Sequence, residues 1–173
     1  MQYYGMCKIV DCFRTQIGVG GKVRVEIKLG NESDIDSWMN LVKKVKDDFP
    51  GLETAEDLSE HRNTVLDFMS KDSAICARSQ DKVIGALLFS KSDNMLCFLA
   101  VEPEYRRQHI AEKMVSYMLT FMVDSGSNVF VTTYRDGVPE GMAARAFYKR
   151  LGFTEGKLTE EFGSPVQEFI LKR

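Results

Sequence analysis

Residues 99–111 read Leu99-Ala100-Val101-Glu102-Pro103-Glu104-Tyr105-Arg106-Arg107-Gln108-His109-Ile110-Ala111. The stretch begins as an apolar strand, turns at Pro103 and enters an amphipathic helix through two arginines. A helix N-terminus presents backbone amides and the positive end of the helix dipole, so it favours a bound anion. Adjacent arginines suit a diphosphate in particular. An ordinary strand-to-helix loop with two solvated arginines is the alternative that these residues leave open.

Strands and helices are predicted on both sides of this stretch. Residues 22–29 alternate charged and apolar side chains, which is typical of a half-buried strand. Two helices follow, the first capped by Ser33 or Asp34 and the second spanning residues 58–69. Further strands are predicted at 73–78, 83–89, 95–101, 128–133 and 165–171, with helices at 111–123 and 142–151. The order β-αα-βββ-α-β-α-β predicts an α/β fold (α+β in some schemes), with a mixed sheet and helices on both faces.

Length and composition indicate one globular domain. The chain has 173 residues, of which 44% are hydrophobic and 28% charged. We expect a single domain over residues 22–173, preceded by an extension or extra strand at residues 1–21. The net charge of −2 argues against a dedicated nucleic-acid binder. Charged residues interrupt every apolar run and the N-terminus is unlike a secretory signal, so we expect no membrane partner and a cytoplasmic location.

The cysteines and histidines do not form a metal-binding pattern. Cys7, Cys12, Cys76 and Cys97 lack zinc-ligand spacing, and the last two lie in apolar stretches. We therefore expect inert thiols. Neither His61 nor His109 has a second histidine at ligand spacing, so we expect no metal.

Two segments resemble the GNAT superfamily of N-acetyltransferases. Residues 106–111 are similar to its pyrophosphate loop, Q/R-x-x-G-x-G/A, with Arg106 first and Ala111 last. His109 replaces the middle glycine, and we expect it to keep a negative φ. Residues 144–153, Ala-Arg-Ala-Phe-Tyr-Lys-Arg-Leu-Gly-Phe, resemble the family's A-x-x-F-Y-x-x-x-G-F helix and turn. Gly141 stands where the family often has asparagine, so a cofactor contact is expected to be missing.

The resemblance implies a fold, a reaction and a set of site residues. The implied fold is GNAT-like, with a mostly antiparallel central sheet. The implied reaction is acetyl transfer from acetyl-CoA to a primary amine by direct attack in a ternary complex. A non-catalytic acyl-CoA-binding regulatory domain is the alternative. Tyr148 would protonate the departing thiolate, since a phenol with an ordinary pKa of about 10 can serve as the acid. The implied cofactor-binding residues are those of the strand, which would meet the pantetheine, and those of the loop, which would hold the pyrophosphate: Leu99, Ala100, Val101, Arg106, Arg107, Gln108, His109, Ile110 and Ala111.

The general base and the acceptor are less defined. Glu53, Glu60 and His61 lie on the helical segment that the resemblance places near the acceptor, but each is more typical of a solvated helix residue, so no base is assigned. Residues 31–72 carry eleven acidic and five basic groups. A negative wall would attract a cationic small-molecule or peptide amine, although these carboxylates are also consistent with an outer, solvated face. A homodimer is left open.

Overall fold

The computed structural model describes residues 24–161 and 163–173. The extension predicted at residues 1–21 and the thiols of Cys7 and Cys12 lie outside these residues. The described part forms seven strands and four helices, joined by turns and short 3₁₀ segments. In chain order they are β1 (Glu26–Leu29), α1 (Ile35–Val45), α2 (Ala55–Ser70), β2 (Ala74–Ser79), β3 (Lys82–Ser90), β4 (Met95–Val101), α3 (Ile110–Phe121), β5 (Val129–Tyr134), α4 (Met142–Arg150), β6 (Thr154–Glu161) and β7 (Ser164–Leu171).

The strands form one sheet with the order β1-β2-β3-β4-β5-β7-β6. All neighbouring strands are antiparallel except β4 and β5, which are parallel. Alternation along β2 divides the core into two layers, because Ile75 and Ala77 pack with α3 and α4 while Ala74 and Cys76 pack with α1 and α2. The predicted mixed, mostly antiparallel sheet with helices on both faces is therefore confirmed.

The segment before α1 differs from its prediction. Asn31, rather than Ser33 or Asp34, caps the helical segment, which starts with the 3₁₀ turn Glu32–Asp34. The Asn31 side chain accepts a hydrogen bond from the Ser33 amide at 3.0 Å, and the Asp34 carboxylate accepts one from the Asn31 amide at 3.0 Å. This reciprocal arrangement satisfies two amides that have no intrahelical acceptor, so the turn begins earlier than the apolar pattern indicates.

Strand β6 was not predicted. Its sequence, Thr-Glu-Gly-Lys-Leu-Thr-Glu-Glu, contains one large apolar residue, Leu158, and that residue is exposed. The strand lies at the sheet edge and pairs only with β7 in the described part of the chain. An edge strand that covers little of the core needs no hydrophobic alternation, which is why the sequence pattern does not reveal it.

Helix α1 is fixed to the end of β4 by a buried carboxylate. Glu102, 1% exposed, accepts a hydrogen bond from Lys82 at 2.7 Å and another from Lys44 of α1. Burial alone would raise the pKa of Glu102, but the two lysines outweigh burial and lower that pKa below its ordinary 4.5. Because Glu102 lies between the end of β4 and the turn at Pro103, this contact also fixes where the loop to α3 begins.

Candidate active site

Strands β4 and β5 pair briefly and then separate. Their parallel pairing is confined to Met95 with Phe130 and Leu96 with Val131. Across the other edge of β4, Leu88 pairs with Phe98 and Phe89 with Leu96, so Cys97 is an extra, bulged residue. From Cys97 onward, the edge of β4 that faces β5 is not bonded to β5. Its backbone groups can therefore pair with an extended ligand that contains amides.

The loop after β4 ends at an uncapped helix N-terminus. After the 3₁₀ turn Pro103–Tyr105, Arg107 (φ 60°) and His109 (φ 59°) both adopt the left-handed conformation. The His109 side chain makes no capping hydrogen bond, and its Nδ1 lies 2.8 Å from Glu112 Oε2 instead. Helix geometry leaves the amides of Ile110–Glu112 without intrahelical acceptors, so they are suited to bind an anion.

The expectation of a negative φ at His109 was wrong. The residue takes the conformation that the family's glycine would take, although a Cβ makes this conformation costly by about 1 kcal/mol. Histidine is among the residues that visit this region more often than most. The hydrogen bond between its ring and Glu112 lies within the same first turn and helps to hold it there.

A cavity of about 370 Å³ lies between the open edge of β4 and this helix N-terminus. It brings together eight of the nine predicted cofactor-binding residues; the exception, Gln108, does not line it. Phe147 and Arg150 of α4 also line it and were not predicted. They are three positions apart within the second family-like segment, so helical spacing could have indicated them. The full lining is Asp48, Phe49, Leu99, Ala100, Val101, Tyr105, Arg106, Arg107, His109, Ile110, Ala111, Glu112, Phe147 and Arg150.

Arg106 holds the loop in place with its own side chain. Its Nε donates to the Val101 carbonyl at 3.1 Å, and its Nη2 donates to the Asp48 carboxylate at 3.2 Å. The guanidinium thus joins the end of β4 to the segment between α1 and α2. Arg106 is part of the cavity wall, but these contacts make it an anchor of the loop as well as a positive charge.

Tyr148 lies behind the cavity, in the core between α4 and the sheet. It is fully buried, and its ring centroid lies 5.5 Å from those of Phe147 and Phe153 and 6.2 Å from that of Phe169. It does not line the cavity, whereas its neighbour Phe147 does. Gly141, at the start of the same helix, packs directly against Tyr134 of β5, and a Cβ there would lie 2.3 Å from the Tyr134 Cβ. Asparagine cannot occupy this position without a shift of the backbone.

A second cavity, of about 680 Å³, lies between α2 and the β3–β4 hairpin. Three carboxylates, Glu60, Asp67 and Asp93, line it together with Cys97. Of the two lysines in the lining, Lys71 pairs with Asp67 at 2.6 Å. Three carboxylates and two lysines give the cavity lining a net charge of −1 beside the bulge of β4.

The three candidate bases are in different environments. Glu53 is exposed, and Glu60 is an exposed residue of the second cavity. His61 is buried against the Phe98 ring, with centroids 5.1 Å apart, and burial lowers its pKa to about 4. Burial also raises the pKa of Cys97 to about 12, so its thiol is protonated at neutral pH.

Residues 24–161 and 163–173 contain no group of three or more histidines, cysteines or carboxylates arranged to hold a metal ion. None of the helices in the same residues combines the length and apolarity needed to cross a membrane.

The fold and the opened edge between β4 and β5 are those of the acyl-CoA-dependent acyltransferases. Residues 38–153 match the acetyltransferase (GNAT) family, and the chain belongs to this family. No curated protein matches the sequence.

Several solved structures share the fold at low identity. A GNAT-family acetyltransferase from Bacillus cereus ATCC 10987 is similar with a TM-score of 0.68 and 18% identity, covering 87% of this chain and 98% of its own. An N-acetyltransferase from Staphylococcus aureus Mu50 has a TM-score of 0.68 and 15% identity, and the match covers 84% of this chain and 100% of its own. The PaiA N-acetyltransferase from Thermoplasma acidophilum, solved with coenzyme A, has a TM-score of 0.64 and 15% identity. The match covers 84% of this chain and 98% of its own.

Proposed function

We propose that this protein is an N-acetyltransferase that moves the acetyl group of acetyl-CoA directly to a primary amine. The observation that supports this most strongly is the meeting of two binding surfaces around one cavity. The open edge of β4 can pair with the amides of pantetheine, and the uncapped N-terminus of α3 can hold the pyrophosphate. Acetyl-CoA, as co-substrate, supplies the acetyl group as an activated thioester.

Each part of the site has a role in this proposal. The backbone of Leu99, Ala100 and Val101 orients the pantetheine, and the amides from Arg107 to Ala111 bind the pyrophosphate. Arg106 anchors this loop and contributes positive charge. The family fold, together with the structure solved with coenzyme A, supports the use of acyl-CoA in general.

Direct transfer is favoured over an acyl-enzyme. Cys97 is the cysteine nearest the opening between β4 and β5 among the described residues, but its raised pKa keeps it a thiol, which is a poor nucleophile. Tyr148 is proposed as the acid for the departing thiolate. Its place in the family-like helix supports this role.

We further propose a positively charged amine as the acceptor. The second cavity carries Glu60, Asp67 and Asp93, and it reaches Cys97 at the point where β4 leaves β5. An acidic wall raises the local concentration of cations and speeds their encounter. A polyamine, an aminoglycoside or a lysine-like side chain fits this chemistry, and a homodimer is compatible with it.

The test is a comparison of binding with turnover. Coenzyme A binding is measured by calorimetry, and thiol release is followed with acetyl-CoA and a panel of polyamines, aminoglycosides and amino acids. Tyr148→Phe, which keeps the buried ring, should lower kcat by about 10²-fold with little change in KM for acetyl-CoA. Tyr117→Phe on α3 is the matched control. Binding without thiol release from any amine would favour the regulatory-domain alternative, and a kcat within about twofold would make Tyr148 structural.

A further inference from the structure

The end of the β6–β7 hairpin folds over the face of the sheet. The Thr132 hydroxyl of β5 donates to Glu161 Oε2 of β6 at 3.0 Å. In the sheet register, however, Thr132 pairs with Glu168, while Glu161 pairs with Ser164, four residues earlier in β7. Four residues correspond to about 13 Å along a strand. A flat sheet could not bring the two side chains together, so the hairpin end must bend back toward β5.

Alternation shows which face the hairpin end covers. Leu96 and Val131, the last pair before β4 and β5 separate, both belong to the core layer of α3 and α4. Thr132 follows Val131 directly, so it lies on the opposite face, that of α1 and α2. Cys97 follows Leu96 and packs in the α1–α2 layer. Glu161 therefore lies at the point where the two strands begin to separate, on the side of the acidic second cavity.

The surroundings of Glu161 suit a group that accepts a proton. The side chain is partly buried, and burial raises the pKa of its carboxyl above the ordinary 4.5, while the hydrogen bond from Thr132 partly offsets this. In the described part of the chain, no basic side chain forms an ion pair with Glu161. Three titratable groups lie nearby. Cys97 of β4 has a pKa that the Glu161 charge helps to raise, and Asp93 of the β3–β4 turn accepts hydrogen bonds from two serines. Glu168 of β7, the register partner of Thr132, forms an ion pair with Lys157 at 3.9 Å.

The earlier candidates fit this role less well. His61 is buried against the Phe98 ring, and burial lowers its pKa to about 4. It lines neither cavity. Glu53 and Glu60 are exposed on the helical segment. Glu161 differs from these three residues because it is partly buried and also accepts a hydrogen bond from β5 at the point where β4 and β5 separate.

We propose that Glu161 is the general base that takes the proton from the acceptor amine, and that Thr132 positions its carboxylate. This inference rests on the proposed function. Glu161 first takes one proton from the ammonium group of the acceptor, which frees the nitrogen lone pair for attack. As the nitrogen bonds to the acetyl carbon, the carbon–sulfur bond breaks, a second N–H proton passes to water, and the departing thiolate takes a proton from Tyr148. Exchange with water then returns both side chains to their starting states. The sum is thioester plus ammonium giving amide, thiol and one proton.

The test compares Glu161→Gln with Glu160→Gln, its exposed neighbour on the same strand. Thiol release is measured from about pH 4.5 to 10, with acetyl-CoA and the best acceptor from the amine panel, starting with spermidine. Glu161→Gln should lower kcat/KM by about 10²-fold at pH 7. The deficit should shrink toward pH 10, where the amine loses its proton to water, because a free ammonium has a pKa of about 10.4. Coenzyme A affinity should stay within twofold, and Glu160→Gln should match the wild type throughout.

Thr132→Val tests the positioning role separately. Removing a hydrogen bond that lowers the pKa of Glu161 should move the acidic limb of the pH profile to higher pH, a change that loss of packing alone would not produce. Equal turnover by wild type and Glu161→Gln at all pH values would overturn the inference and leave the proposed function intact. A pH-independent loss of turnover in Glu161→Gln, accompanied by weaker coenzyme A binding, would also overturn the inference. If the wild type released no thiol with any amine, the proposed function would fail and the inference with it.

Discussion

Replacing Gly141 with asparagine, the residue that the family often carries there, is expected to destabilise the protein rather than to add a cofactor contact. The backbone at Gly141 (φ −92°, ψ −12°) is accessible to any residue, so the obstacle is packing alone. An added Cβ would lie 2.3 Å from the Tyr134 Cβ and 3.0 Å from its Cγ. Because carbon atoms pack best at about 3.5–4.0 Å, more than about 1 Å of movement is required.

No small side-chain adjustment can provide this movement. The Tyr134 Cβ is bonded directly to the backbone of β5, and Gly141 ends the 3₁₀ turn that leads into α4. Relief must therefore displace the start of α4, which carries Phe147 of the cavity wall and Tyr148. Overpacking typically costs about 1–3 kcal/mol, and this overlap favours the upper end. At about 2–4 °C per kcal/mol for a chain of this length, Tm should fall by about 6–12 °C.

Thermal unfolding and coenzyme A titration together test this reasoning. Gly141→Ala should lose nearly as much stability as Gly141→Asn, because the Cβ itself makes the overlap. Glu140→Asn, at the exposed preceding position, should unfold within about 2 °C of the wild type. Adding Tyr134→Gly should recover part of the lost Tm, whereas Tyr134→Ala, which keeps the Cβ, should recover little. A Gly141→Asn variant with wild-type Tm, or with tighter coenzyme A binding, would refute the argument.

Three further outcomes are expected. Arg106→Ala should weaken coenzyme A by about 1.5–3 kcal/mol in calorimetry at constant salt, because the loop loses its anchor to Asp48; an unchanged Kd would contradict this. Glu102→Gln should cost about 1–3 kcal/mol of unfolding free energy at pH 7. Because the folded-state pKa of Glu102 is lowered, its stabilisation is present above pH 4.5 and is lost as pH falls through that pKa, so urea unfolding should show a shallower acid loss in the variant. For a cationic acceptor, kcat/KM should fall between about 0.05 and 0.5 M salt, and a flat response would exclude steering by the acidic wall.

The sequence predicts those parts of the fold that bury apolar surface. Strand β4 has the predicted bounds. Helix α3 differs from its prediction by one residue at its start and two at its end, and α4 by one residue at its end. The loop between β4 and α3 was also legible, because a strand end, a proline and a helix start follow one another within a few residues. Eight of the nine residues predicted to bind the cofactor meet around one cavity for this reason.

Other features depend on contacts that a local pattern does not contain. The left-handed φ of His109 follows from the loop geometry that its neighbours impose, since a histidine in isolation favours a negative φ. The contact of Gly141 with Tyr134 joins α4 to β5, and nothing in either segment alone indicates it. The anchoring of Arg106 to Asp48 likewise joins residues 58 positions apart.

The sequence did not indicate Glu161 as a base for the same reason that it did not indicate strand β6. Residues 154–161 contain three glutamates and one large apolar residue. This composition is typical of a solvated segment, and it predicts that the carboxylates are ordinary surface charges. What distinguishes Glu161 from Glu155 and Glu160 is the bend of the hairpin, which brings its carboxylate to the Thr132 hydroxyl although their register positions on β7 are four residues apart. Partial burial then raises its pKa, whereas Lys149 and Arg145 lower that of Glu155. The chemical difference between carboxylates on one strand thus arises from tertiary structure, and mutating them one by one is the way to detect it.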